Sequence, residues 1–274
     1  MSRKMSSKTP SVSHGMPSFL TSLRQGVRDG VRNLGQKTGL AKPPPLASLP
    51  HLSDFVRDQA AFVSQVALYT YVKARSGTSF PKLFQHQEFL TSLHIARWHI
   101  FAAAVIDLAV FAAMQLLDKT NATNAKPDAN PLQVKQEITA LAHHLGEVAF
   151  AGIDQKDVAP KVFSDALGAI AGRVKTNNTP PAPTKSSTNP PTVFFASADA
   201  FLHWAPMADA FKKDDEEIMR NSIEMRWIEV RRAFHTRLKA DAVYGDWRKH
   251  AHAHAHAHPQ ANKPAHESER GDGQ

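Results

Sequence analysis

Asp107 is the residue of this sequence whose surroundings leave it the fewest options. It lies within Ile100–Leu117, where only it and Gln115 are polar, and on a helix its near neighbours would be Ala103, Ala104, Val110, Phe111 and Met114. A carboxylate taken out of water must be paired, protonated or in use. One reading is a proton-handling or ligand-contacting acid inside a cavity, with His99 as a second ligand contact. The other, which we prefer, is an internal ion pair or hydrogen bond to an Arg, His or Tyr of another helix.

Histidines supply the remaining chemistry. His143 and Glu147 stand one helical turn apart with His144 beside them, and His94, His99 and Asp107 are candidate ligands on another helix, which is the raw material of a metal site in a bundle. A di-metal carboxylate bundle needs paired Glu-x-x-His motifs, and the sequence has none, so hydrogen-bonded or solvated histidines are expected there. His250, His252, His254, His256 and His258 alternate with Ala. Such a tract can bind a divalent metal loosely through neutral imidazoles, and in a helix His250 with His254, and His254 with His258, would stand one turn apart. No other cofactor is expected. Trp98 and Trp227 fall in helical apolar stripes and read as core, whereas Trp204 and Trp247 stay open between core, interface and stacking roles.

Recognisable catalytic motifs are missing: the sequence contains no G-x-S-x-G, no Walker A loop, no G-x-G-x-x-G and no H-E-x-x-H. With no cysteine there is no thiolate nucleophile, no disulfide and no iron–sulfur cluster.

The elements that must position these groups are helices. A first helix is expected from an N-cap at Ser53 to Ser76, with Phe55, Phe62, Val66 and Tyr69 as its stripe, widened by Val56, Ala60, Val63, Ala67 and Tyr71. Gly77–Pro81 reads as a turn. The second helix should run from His86 to Asp118, followed by a loop from Thr120 to Asn130 and a third helix from Pro131 to Phe150. A shorter helix is expected from Pro160 to Val174, then a Pro/Ser/Thr-rich linker at 176–192 and an apolar segment, Phe194–Phe211, interrupted at Pro206. The last helix begins at Asp214, Asp215, Glu216 and Glu217 and ends near Arg237 and Lys239, with Ile223, Trp227, Val230, Phe234 and Leu238 inward. From residue 249 onward we expect a disordered His/Ala-rich tail.

Ile100–Leu117 has the minimum length of a membrane span. Its nine Ile, Leu, Val and Phe residues favour insertion by roughly 4 kcal/mol, whereas a central Asp opposes it by about 2.5–3.5 kcal/mol. A buried bundle helix explains the same apolarity and gives the amphipathic helices something to pack on. The fold expected is therefore all-α: a compact bundle of five or six helices over residues 51–248, around a long central apolar helix.

The formal charge of +8 concentrates at the N-terminus, where residues 1–50 carry Arg3, Lys4, Lys8, Arg24, Arg28, Arg32, Lys37 and Lys42 against Asp29 alone. We expect a disordered arm with one short amphipathic helix, in which Phe19, Leu20, Leu23, Val27 and Val31 meet lipid beside Arg24, Arg28 and Arg32. Gly26 and Gly30 would each cost about 1 kcal/mol in that helix, so it needs a surface on which to form. The expected function is that of a non-enzymatic accessory or adaptor protein, cytoplasmic and partly bound to the inner face of a membrane. Its partners would be anionic lipid and an unidentified protein, with nucleic acid a weaker alternative. A ligand-binding or catalytic domain with a cavity at Asp107 is the second reading.

Overall fold

A computed structural model describes residues 43–124, 130–154, 158, 161–176 and 194–257. Two compact units divide the chain, 1–43 and 44–274, and every helix described below belongs to the second. The expected membrane-binding residues Phe19 to Arg32 and the metal-ligand expectation for His258 lie outside the described residues.

The described part is all-α, with no strand among the described residues and one long apolar helix at its centre. In chain order the helices are α1 (Leu49–Ser76), a 3-10 turn (Gly77–Ser79), α2 (Phe80–Leu83), α3 (Gln87–Asn124) and α4 (Pro131–Phe150). They are followed by α5 (Val162–Thr176), α6 (Ala196–Trp204), α7 (Asp209–Asp214), α8 (Glu216–Arg237) and α9 (Ala240–Ala257).

α1 starts earlier than its sequence suggests. Ser48 is the N-cap, its hydroxyl accepting from the His51 N–H at 3.4 Å, and Pro50 sits in the first turn, where its missing N–H costs nothing. Ser53 is instead a buried mid-helix residue whose hydroxyl donates to the Leu49 carbonyl. The expected apolar face is buried through Phe55 and through the residues that widen its stripe. Leu52, Val56, Ala60, Val63, Ala67 and Tyr71 are buried, whereas Phe62, Val66 and Tyr69 stand at its margin. Gly77 closes the helix at φ 52°, a backbone conformation that costs glycine little.

α3 is enclosed by α1, α4, α5, α6 and α9. Ile100, Val105, Leu108, Val110 and Leu116 are fully buried, and the five buried alanines Ala102, Ala104, Ala109, Ala112 and Ala113 let neighbouring backbones approach from several sides. Length and apolarity would allow α3 to cross a bilayer, but 83% of its most apolar window is buried inside the fold. The helix also runs past Asp118 into the stretch expected to be a loop. Thr120 is buried, and its hydroxyl donates back to the Leu116 and Leu117 carbonyls instead of ending the helix.

The chain enters α1 across the α8–α9 junction. The Leu46 N–H donates to the Arg237 carbonyl at 2.9 Å, the Lys239 N–H donates to the Leu46 carbonyl at 3.0 Å, and Arg237 Nε donates to the Pro44 carbonyl at 2.9 Å. α1 and α8 run antiparallel, with Phe55 beside Phe234 at one end and Tyr71 bonded to Asp215 at the other. The expected tail is corrected as well, since α9 continues through the first His–Ala repeats to Ala257. Val243 and Trp247 bury its first turns, and alanine, the best helix former, carries the helix on.

α4 and α5 meet at Gly146. A Cβ there would stand 2.8 Å from Leu167 Cδ2 and 3.5 Å from Ile170 Cδ1. Ala at this position gains up to about 1 kcal/mol of helix propensity but must displace the Leu167 methyl, so Gly146→Ala should come out near neutral. Gly146→Leu has no such room and should lose about 1–3 kcal/mol in urea unfolding.

Candidate functional site

The Asp107 side chain is fully buried, and its carboxylate collects donors from two other helices. Arg173 Nη2, from the end of α5, donates to Oδ1. The first N–H groups of α6 donate as well, Ser197 N to Oδ2 at 2.8 Å and Ala196 N to Oδ1 at 3.4 Å. The Ser197 hydroxyl also bonds the carboxylate and in turn accepts from the indole N–H of Trp227 on α8 at 3.0 Å. Asp107 thus works as a helix cap supplied by another helix, placing a negative charge at the electropositive end of α6.

Rings seal this node. The Arg173 guanidinium lies 3.3 Å from the centroid of Phe195, and Phe194 stacks on Trp227 at 4.4 Å. Burial pushes the Asp107 carboxyl up to about 6, against the lowering effect of the Arg173 charge and the Ser197 and Ala196 hydrogen bonds.

His99, the second expected ligand residue, sits at the other end of the same small helix. Its imidazole stacks on Trp204, the last residue of α6, at 3.6 Å and nearly parallel. Desolvation, then the nearby His203, lower its pKa, which favours the neutral ring for stacking. Asp107 at the start of α6 and His99 at its end therefore make α6 antiparallel to α3 and fasten it at both ends. The structure brings the two residues to one helix and to two different sets of neighbours.

The other histidines divide similarly. His94 accepts from the Trp98 indole N–H at 3.1 Å, and His143 lies 3.5 Å from Glu147 on the same helix. Among the described residues no group of three or more His, Asp or Glu side chains could hold a metal ion. His144 faces His250 across α4 and α9, with ring centroids 4.3 Å apart. His252 is exposed, and the side chains of His254 and His256 lie outside the described residues. Trp98 packs edge-on against Phe101 and Phe163, Trp227 is buried, and Trp247, left open by the sequence, is buried too.

A second ionic node was not anticipated. Asp215 is buried, accepts from Tyr71 Oη at 3.0 Å and is gripped by Nε and Nη2 of Arg75 from the last turn of α1. Its spacing gave the available signal, because Asp215 precedes Met219 and Ile223 by four and eight residues and so stands on the buried stripe of α8. Arg173 follows the same rule, three residues after buried Ile170. An ionisable residue in register with a core stripe marks a buried pair.

Comparison with protein-family models, with curated proteins and with solved structures finds no match to this chain.

Removing one member of the Asp107–Arg173 pair strands the other as a buried charge, so Asp107→Ala should lose about 3–5 kcal/mol. The paired change Asp107→Leu with Arg173→Met should recover most of that loss in denaturant unfolding.

The sign of the pH dependence follows from the raised pKa. Between about 4 and 6 the folded state holds a proton on Asp107 that the unfolded chain, near 3.9, has released, so this group makes stability fall as pH rises through that window. The wild-type advantage over Asp107→Asn should shrink by up to about 3 kcal/mol from pH 4 to pH 7 in urea titrations, and a pH-independent difference would contradict the burial effect.

Proposed function

We propose that this protein is a non-enzymatic adaptor that binds an anionic membrane surface peripherally through its basic N-terminal segment and presents its helical domain to a protein partner. The observation that carries the reading is the charge division of the chain, with eight basic residues against one acid in residues 1–50. Such a segment gains on the order of 1 kcal/mol per Lys or Arg near an anionic leaflet, and the apolar residues between Phe19 and Val31 add the second signal that reversible anchoring needs.

Two features of the helical domain support the adaptor role. Its buried carboxylates, Asp107 and Asp215, are each held by an arginine and by further N–H or O–H donors, which is an arrangement for holding helices together. In addition, α8 carries an apolar seam on its solvent side. Ile218 is 63% and Met225 64% exposed, with Ile228 next to them, at spacings of seven and three residues. That is the spacing with which one helix receives another. Exposed Glu229 and Arg232 flank the seam, so its occupant would be an amphipathic partner helix carrying both charge signs.

Cell fractionation tests the membrane part. The protein should sediment with membranes at low salt and leave them at high salt. Removal of residues 1–42 should release it while sparing Leu46 and Ser48, which belong to the fold. Retention of that truncated protein through a high-salt wash would show that the arm is not the anchor. Release by nuclease instead of salt would make the partner nucleic acid.

A further inference from the structure

We propose that the exposed seam of α8 is the contact of a reversible two-fold dimer, in which α8 of one copy lies antiparallel along α8 of a second copy of this chain. The inference rests on the reading of that seam as a docking face and names its occupant. Met219, Ile223, Trp227, Val230 and Phe234 bury one side of the 22-residue helix. At about 3.6 residues per turn, Ile218, Asn221, Met225 and Ile228 fall on the opposite side, and all four are exposed.

Charge decides which occupant this face fits. Asp214 and Glu217 stand exposed at the start of α8, and Arg232 is exposed near its end. None of the three has an ion-pair partner among the described residues. A closed two-fold contact needs a surface that complements itself, so that residue i meets j while j meets i. Turned antiparallel about an axis at the level of Ile223, α8 meets that requirement. Ile218 comes opposite Ile228 of the partner subunit, and Asn221 comes opposite Met225 of the partner subunit. Asp214 and Glu217 then reach Arg232 of the partner subunit, so that ion pairs close both ends of an apolar centre. The two helix dipoles also run in opposite senses. A parallel pairing would instead bring acid against acid at one end and arginine against arginine at the other.

The size of the contact sets its strength. From Asp214 to Arg232 it runs for about five helical turns and covers on the order of 500 Å² on each copy, at the lower end of specific interfaces. Near the axis the two Glu224 side chains approach each other, which opposes tight binding. The dimer therefore forms and dissociates with concentration.

Sedimentation velocity of the full-length protein at rising concentration should show monomer passing reversibly to dimer. Met225→Glu alters an exposed side chain; it should weaken association by about tenfold or more and leave the unfolding midpoint of the dilute protein unchanged. Dimerisation of that variant with wild-type affinity would overturn the proposal. A wild-type chain that stays monomeric throughout would overturn it too, while leaving the seam open to a different protein. Because the chain has no cysteine, introduced thiols report the orientation. An equimolar mixture of Ile218→Cys and Ile228→Cys should join across the dimer with a short thiol-specific cross-linker. Neither variant should do so alone, since its two thiols would lie about 15 Å apart along the helices. Cross-linking within either variant alone would refute the antiparallel register.

Discussion

The fold depends on one carboxylate buried in an apolar helix. Removing Asp107 from water is costly, and the groups that offset the cost all come from elsewhere in the chain: a guanidinium at the end of α5, the first N–H groups of α6 and, through Ser197, the indole of α8. The surface of α3 is otherwise a monotonous field of Ala, Val, Leu and Ile, on which a short apolar helix could slide by a turn with little change in buried area. The carboxylate removes that freedom. Only one register of α6 brings its N–H groups to Asp107 and Trp204 to His99, so polar geometry selects among apolar packings of similar strength.

The same device recurs at the far side of α1. Asp215 draws Tyr71 and Arg75 to the α7–α8 junction, while Leu46, Arg237 and Lys239 tie the other end of α1 to the close of α8. Long antiparallel neighbours are thereby fixed at both ends, with aromatic packing such as Phe55 on Phe234 between them. Exposed pairs such as Arg57 with Asp54 and Arg220 with Glu216 contribute little by comparison, since water screens them.

Much of this was legible from residue spacing. The all-α class, the long central helix, the Pro131 start of α4, the break at Pro206 and the inward face of α8 follow from periodicity and from proline and glycine chemistry. Asp107 was legible as a buried acid, because a lone carboxylate in an apolar run admits few explanations. Its partners were not. Arg173 has the appearance of an ordinary basic residue at a helix C-terminus, and Asp215 that of a dipole-favouring acid at an N-terminus, and the long-range pairing that distinguishes them is a property of the fold. Ser53 misled because a serine followed by aspartate resembles a cap, while Ser48 with Pro50 did the capping. The histidine repeat misled in the opposite sense, since alternation reads as low complexity although half of its residues are alanine and it extends a helix already anchored by Trp247.

The node at Asp107 also bears on the Pro- and Thr-rich residues 177–193. The two flanks of that segment, Arg173 before it and Ala196 and Ser197 after it, meet on a single carboxylate. Its closure is thus set by contacts outside it, and because closure entropy grows only with the logarithm of loop length, residues can be added or removed there at small expense. Evolution is accordingly free to rewrite this stretch, and a protein engineer could place a reporter domain, or even a pair of new chain ends, at the same point while the bundle keeps its assembly.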